Sequence, residues 1–325
     1  MFRAANLLLS IVTLLTFPFS SSAQQAATQP IRSLVNVLDR NGNAIRDLKK
    51  ENFRVKVNGH PATVMGASYS LAPRRIVVLL DMSGSMTPSI DNKKWKIASE
   101  ALEDLLTQTP QDVPVALLTF SDQVRDVLDF TQSRSSMATW MKQGASRRGS
   151  TKGRTALRDA ILVGLNLLQP YRSGDAVYAI TDGGDNMSHA SSGRTRAALR
   201  ESGVRLFAFL FAEPTPSEEE REGVDSLVES AVDSGGFVFG VRGYRGVAGA
   251  GFPWEFEYDD NESTHNQIRL YTQMLNIQVN GFYVVQVAVP QLRKASKLKV
   301  EIIDSAGRTR KDVGFTYQRW LPGDQ

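Results

Sequence analysis

The feature that most constrains this chain is a repeated switch of hydrophobic period between residues 76 and 239. Ile76-Val77-Val78-Leu79-Leu80 is an unbroken β-branched and leucine run, the pattern of a parallel strand buried on both faces. Trp95, Ile97, Ala98, Ala101, Leu102, Leu105 and Leu106 then recur at helical spacing. Strand-like runs return at 113–120, 124–130, 176–181, 204–211 and 237–239, and helical patterns fill 154–168 and 194–202. Ser217 with Glu220 makes a capping box for a helix that turns Val224, Leu227, Val228, Ala231 and Val232 inward and stops at Gly235-Gly236. Strand alternating with helix predicts an α/β architecture, a doubly wound Rossmann-like parallel sheet over 73–240.

The flanks follow a period of two. Residues 34–38, then Phe53, Val55 and Val57, then the hairpin signal Asn58-Gly59 and a return strand over 64–69 form a β segment within 24–72. Alternation resumes after Gly281 with Tyr283, Val285, Val287 and Val289, then Leu298, Val300 and Ile302, then Phe315 and Tyr317. Each piece is too small to bury a core alone. The expectation is that the segments 24–72 and 281–320 pair into one small all-β, sandwich-like domain, with 241–280 a loop and helix linker. Within that linker Tyr244, Phe252, Trp254, Phe256 and Tyr258 could form a recognition surface, but are expected rather to pack across the junction between the domains.

Residues 1–23 read as a secretory signal peptide: Arg3, an apolar run from Leu7 to Phe19, and the small residues Ser21-Ser22-Ala23 before Gln24. The run is shorter than the ~20 residues that span a bilayer, so cleavage is expected over retention as an anchor, and the mature chain is expected to be secreted or periplasmic. There is no cysteine, which excludes disulfide scaffolds, thiolate metal sites and lipid attachment at cysteine. Three histidines leave any metal to oxygen ligands. The 38 basic and 34 acidic side chains show no single-sign block, so nothing marks a nucleic-acid surface.

In open α/β sheets, ligands bind beyond the carboxyl ends of the strands. Three places there carry oxygen side chains: Asp81-Met82-Ser83-Gly84-Ser85 after the first strand, Thr155 at the start of a helix, and Thr181-Asp182-Gly183-Gly184-Asp185 after a central strand. This arrangement resembles the von Willebrand factor A fold with its metal-ion-dependent adhesion site, read as Asp-x-Ser-x-Ser, a distant Thr, and the Asp of a Thr-Asp-Gly turn. Asp81, Ser83, Ser85, Thr155 and Asp182 match those five positions. The flanking Val35-Asn36-Val37-Leu38-Asp39, Gly42, Asp47-Leu48 and Glu51-Asn52-Phe53 look more loosely like the β segment of VWFA-related proteins typical of Acidobacteria. The resemblance implies a bound Mg²⁺ or Mn²⁺ whose vacant position takes a Glu or Asp carboxylate of a partner protein, and no catalysis. Neutral hydroxyls suit that task because they leave most of the ion's charge uncancelled. Asp122 and Asp185 are expected to be solvated loop residues.

Two other readings compete. Haloacid-dehalogenase-type phosphatases also open with an apolar strand ending in Asp, which would make Asp81 a nucleophile, with Thr119 and the acidic turn 182–185 in support. However, Ser83 stands where such enzymes place an acid, and no suitably placed lysine is evident from sequence. A structural envelope protein with an idle metal site is the third reading. The partner's identity and the oligomeric state are not encoded in any motif.

Overall fold

The computed structural model describes residues 30–86, 93–144, 154–211, 218–240, 261–289, 292 and 294–321. The expected leader at 1–23, the capping-box side chains Ser217 and Glu220, and the aromatic loop lie outside the described residues.

The first three strands, β1 (Pro30–Leu38), β2 (Phe53–Val57) and β3 (His60–Leu71), precede the α/β unit. That unit runs β4 (Ile76–Asp81), α1 (Lys93–Gln108), β5 (Val115–Phe120), β6 (Val124–Leu128), α2 (Arg134–Gly144), α3 (Leu157–Leu167), β7 (Ala176–Thr181), α4 (Ser192–Ser202), β8 (Arg205–Leu210), α5 (Glu218–Ser234), β9 (Val238–Phe239) and α6 (Glu262–Asn280). Strands β10 (Gly281–Ala288), β11 (Ser296–Ile302), β12 (Gly314–Tyr317) and β13 (Trp320–Leu321) complete the described chain.

The α/β sheet has the order β6-β5-β4-β7-β8-β9. Its strands β4, β5, β7, β8 and β9 pair in parallel. The expectation of an all-parallel sheet fails at β6, which pairs antiparallel with β5. Only three residues separate Phe120 from Val124, and Ser121 N–H donates to the Gln123 carbonyl at 2.9 Å. So short a connection can make a hairpin but cannot cross over a sheet face. Alternate residues of the buried strands face opposite layers. Ile76, Val78 and Leu80 join α1, Met137 of α2, and α6, whereas Val77 and Leu79 join α3, α4 and α5. Each such fully buried aliphatic side chain contributes about 1.5–3 kcal/mol, so the runs that betray the strands also supply the core.

The second sheet is antiparallel, with the order β12-β1-β10-β3-β2-β11-β13. As expected, strands from the two ends of the chain pair: β1 lies between β12 and β10, and β11 pairs with β2. The Asn58-Gly59 turn has φ of 50° and 85°, the left-handed pair that a two-residue hairpin demands. Val35, Val55, Val57, Tyr283, Val285, Val287, Val300 and Ile302 share one cluster inside this sheet.

Helix α6 was expected in a linker, yet it is part of the α/β unit. Ile268, Tyr271, Met274, Leu275 and Val279 are buried with α1 and the sheet. Its last residue, Asn280, is followed directly by the first residue of β10. The carbonyls at its C-terminus, which have no partner inside the helix, are met by side chains from elsewhere. Asn36 Nδ2 donates to the carbonyls of Gln278 (3.0 Å) and Gly281 (2.7 Å). Arg205 Nη1 donates to Gln278 (2.7 Å) and to Asn36 Oδ1 (3.0 Å), and its Nη2 donates to Gly174 and Val279 (3.0 Å each). Arg205 is fully buried, and its guanidinium lies over the rings of Phe207 and Phe282. Burial, and then the nearby Arg74, bring the guanidinium down to about 9, which still leaves it a cation at neutral pH beside the negative end of a helix.

Candidate functional site

The site forms where β4 and β7 end, side by side in the middle of the sheet. Asp81 is the last residue of β4 and is fully buried. Its Oδ1 accepts from Ser83 N–H at 2.8 Å, and its Oδ2 accepts from Thr181 Oγ at 2.6 Å. The first bond bends the chain back on itself so that Ser83 Oγ and Ser85 Oγ lie 3.3 Å apart. Ser83 is buried whereas Ser85 is exposed, so the hydroxyls run from the interior to the surface. Thr181 ties the two strand ends together, since its Oγ also accepts from Gly183 N–H at 3.0 Å.

Asp182 follows β7 directly. A point one Cβ bond from the Gly184 Cα lies 3.9 Å from both Asp182 Oδ1 and Thr155 Oγ, so these two groups flank the same small space. Thr155 is buried and lies two residues before α3, not within it. Its N–H donates to Asn186 Oδ1 at 2.9 Å, and its carbonyl accepts from Asn186 and Met187. Burial, and next the Asp182 carboxylate, push the Asp81 carboxyl up to about 7, against hydrogen bonds from Thr181 and Ser83 that favour its charge. Asp81 therefore feels the charge of Asp182.

Two side chains here escaped the sequence reading. Lys94, in the first turn of α1, places Nζ 3.4 Å from Asp182 Oδ2, with both side chains largely covered. Its separation of 88 residues from Asp182 leaves no local signal. Asp185 was expected to be solvated, but its side chain is only 3% exposed. Its Oδ2 accepts from the backbone N–H of Arg158 (2.8 Å) and from Arg158 Nε (2.9 Å). It thus serves the first turn of α3, whose own N-cap residue Ala156 makes no side-chain cap. Asp122 is half exposed and pairs with Arg125, as a surface residue would.

The loop after β7 lies directly on α5. Gly183 has φ +85°, and a Cβ there would meet Val224 Cγ2 at 2.7 Å. A Cβ on Gly223 would stand 2.4 Å from the Gly183 carbonyl oxygen. That neighbour is backbone, so no rotamer change relieves the clash. Gly223→Ala is expected to lower stability by about 1–2 kcal/mol, the overpacking exceeding the gain in helix propensity. Urea unfolding of the two proteins side by side measures it.

Among the described residues, no group of three or more His, Cys, Asp or Glu gathers so as to hold a metal. An ion at this place would need the hydroxyls of Ser83, Ser85 and Thr155 beside the two aspartates. Three-layered α/β architecture with an aspartate- and hydroxyl-bearing strand end defines the class of protein. Within it, the chain carries a von Willebrand factor type A domain, matched over residues 76–184. No curated protein matches the chain significantly. Among solved structures, an aerotolerance-related membrane protein from Bacteroides fragilis is similar at 15% identity, covering 62% of this chain and 98% of that one, with a TM-score of 0.42. A von Willebrand factor type A protein from Catenulispora acidiphila is similar at 14% identity, over 91% of this chain and 75% of the other, with a TM-score of 0.41. The conserved hypothetical protein BatB from Bacteroides thetaiotaomicron is similar at 14% identity, over 63% and 98% respectively, with a TM-score of 0.41.

Proposed function

We propose that this chain is an exported, non-catalytic binding module in which Asp81, Ser83, Ser85, Thr155 and Asp182 hold Mg²⁺ or Mn²⁺, directly or through water, and the ion takes a carboxylate from a partner protein. One observation carries the reading: Asp81 is fully buried at a strand end lined by alcohols, where burial and the nearby Asp182 carboxylate burden its negative charge. A divalent cation relieves that burden, and an all-oxygen donor set suits a hard ion. Two carboxylates and three neutral hydroxyls leave such an ion able to attract a further anion. An extracellular or periplasmic setting, with millimolar divalent cation, agrees with the leader expected at residues 1–23.

The phosphatase alternative gains a lysine, since Lys94 reaches Asp182, but two of its other parts do not fit. Thr119 Oγ donates to Asp126 Oδ2 at 3.0 Å, within the β5–β6 hairpin, so that hydroxyl is committed away from Asp81. The residue two after Asp81 is a serine with no acid to offer a leaving group. Mg²⁺ at about one hundred times its dissociation constant is expected to stabilise the protein by about 2.7 kcal/mol. A thermal melt in EDTA and in millimolar Mg²⁺ or Mn²⁺ tests this, and coincident melts would sink the reading. Capture of binding proteins from the native cell envelope, with and without EDTA, tests the partner: equal recovery in both would detach binding from the metal.

A further inference from the structure

Lys94 is ion-paired with one of the five candidate ligands. Its Nζ is 3.4 Å from Asp182 Oδ2, with the lysine side chain 18% and the aspartate side chain 10% exposed. It reaches the site from the first turn of α1, an element that contributes none of the five candidate ligands. An ammonium offers three donors and no acceptor, so it neutralises Asp182 from the Oδ2 side, and a cation bound to the same carboxylate meets its charge at close range. Two like charges a few ångströms apart in a half-buried site repel by several kcal/mol at an effective dielectric of about 20.

We propose that Lys94 is the built-in counter-ion of Asp182 and competes with the divalent cation, so that loading the site requires the ammonium to leave. The inference rests on the metal-site reading above and adds to it the residue that sets ion affinity. The flexible four-carbon stem lets the ammonium change place without moving the helix that carries it. Once displaced, its charge lies beside the ion on the same rim, where an acidic ligand would approach. Affinity for the ion is thereby held below what the five oxygen ligands alone would give, and filling the site converts an internal ion pair into an exposed positive surface.

The competition has a signature that a merely structural lysine lacks. Lys94→Gln lowers the melting temperature in EDTA, because Asp182 loses its partner, yet tightens Mg²⁺ binding by about tenfold or more. Lys94→Arg keeps the cation and retains weak binding close to wild type. Isothermal titration of Mg²⁺ and of Mn²⁺ into the full chain and these variants, with melts in EDTA alongside, reads both effects. Lys94→Met, which keeps the aliphatic stem without the charge, replaces the glutamine variant if that one does not fold. Equal or weaker binding by the neutral variants, with wild type binding normally, overturns the role given to Lys94. Absence of binding in every protein, the neutral variants included, overturns the metal site itself and this inference with it.

Discussion

Asp81→Asn is expected to abolish the stabilisation by Mg²⁺ while leaving the ion-free protein at least as stable as wild type. The two halves have different causes. The loss follows from removing the buried anionic ligand, and amounts to the full ~2.7 kcal/mol expected at one hundred times the dissociation constant. The tolerance follows from burial: in wild type the carboxyl is pushed up to about 7 from an ordinary 3.8, so its charged form is unwelcome in the folded protein. Between those two values the folded protein keeps a proton that the unfolded chain has released. Stability of the ion-free protein therefore falls as pH rises from about 4 to about 7. Asparagine removes this slope, and saturating Mg²⁺, by favouring the charged form, reduces it. Urea unfolding at several pH values in EDTA, for both proteins, shows the slope or its absence. A wild-type profile that rises across the window would contradict the burial argument.

Arg205→Ala carries the largest expected loss of stability, about 3–5 kcal/mol. Removing a buried cation strands the groups arranged around it. The carbonyls of Gly174 and Val279 lose the Arg205 donor described above, and the Asn36 amide oxygen loses its cationic partner. These groups come from a loop, from the end of α6 and from β1, so the damage falls where the two sheets meet. Arg205→Lys keeps the charge but offers a point donor in place of a fork, and is expected to recover part of the loss. The midpoint of chemical unfolding, with Mg²⁺ absent, is the measurement. A change below about 1 kcal/mol would mean that water replaces the guanidinium at little cost.

What could be read in the sequence shares one property: its signal is local. The runs within β4, β7 and β8 are buried at every position because both sheet faces are covered, and the Asn58-Gly59 turn needs only its own two residues. The Asp-x-Ser-x-Ser turn is equally local, and the Asp81 carboxylate makes it by accepting from the backbone two residues on. The missed features depend on distant partners. The direction of β6 is the exception, since it follows from the length of a three-residue link, a local signal that apolar runs alone do not carry. Helix α2 has one fully buried residue among those described, Met137, with Trp140 and Met141 partly buried against the core, and Arg134 anchors its start by donating to the carbonyls of Leu106, Thr109, Pro110 and Val113. Lys94, Asp185 and Arg205 look like ordinary surface charges until the fold closes, and each meets its partner across 27 residues or more.

The interleaving of β1, β10, β3, β2 and β11 has a consequence for how the molecule is made. As the polypeptide emerges, β2 and β3 can zip together at once. Strand β1, however, apart from a local bridge between Leu38 and Ala44, finds its strand partners among the described residues in β10 and β12, whose first residues arrive more than 240 positions after its last. The α/β unit up to β9 is synthesised in that interval, whereas the antiparallel sheet must wait with open edges that invite mispairing. Ribosome-bound chains ending before residue 281 should therefore hold a protease-sensitive amino-terminal strand beside a resistant core, and only the finished chain should protect both.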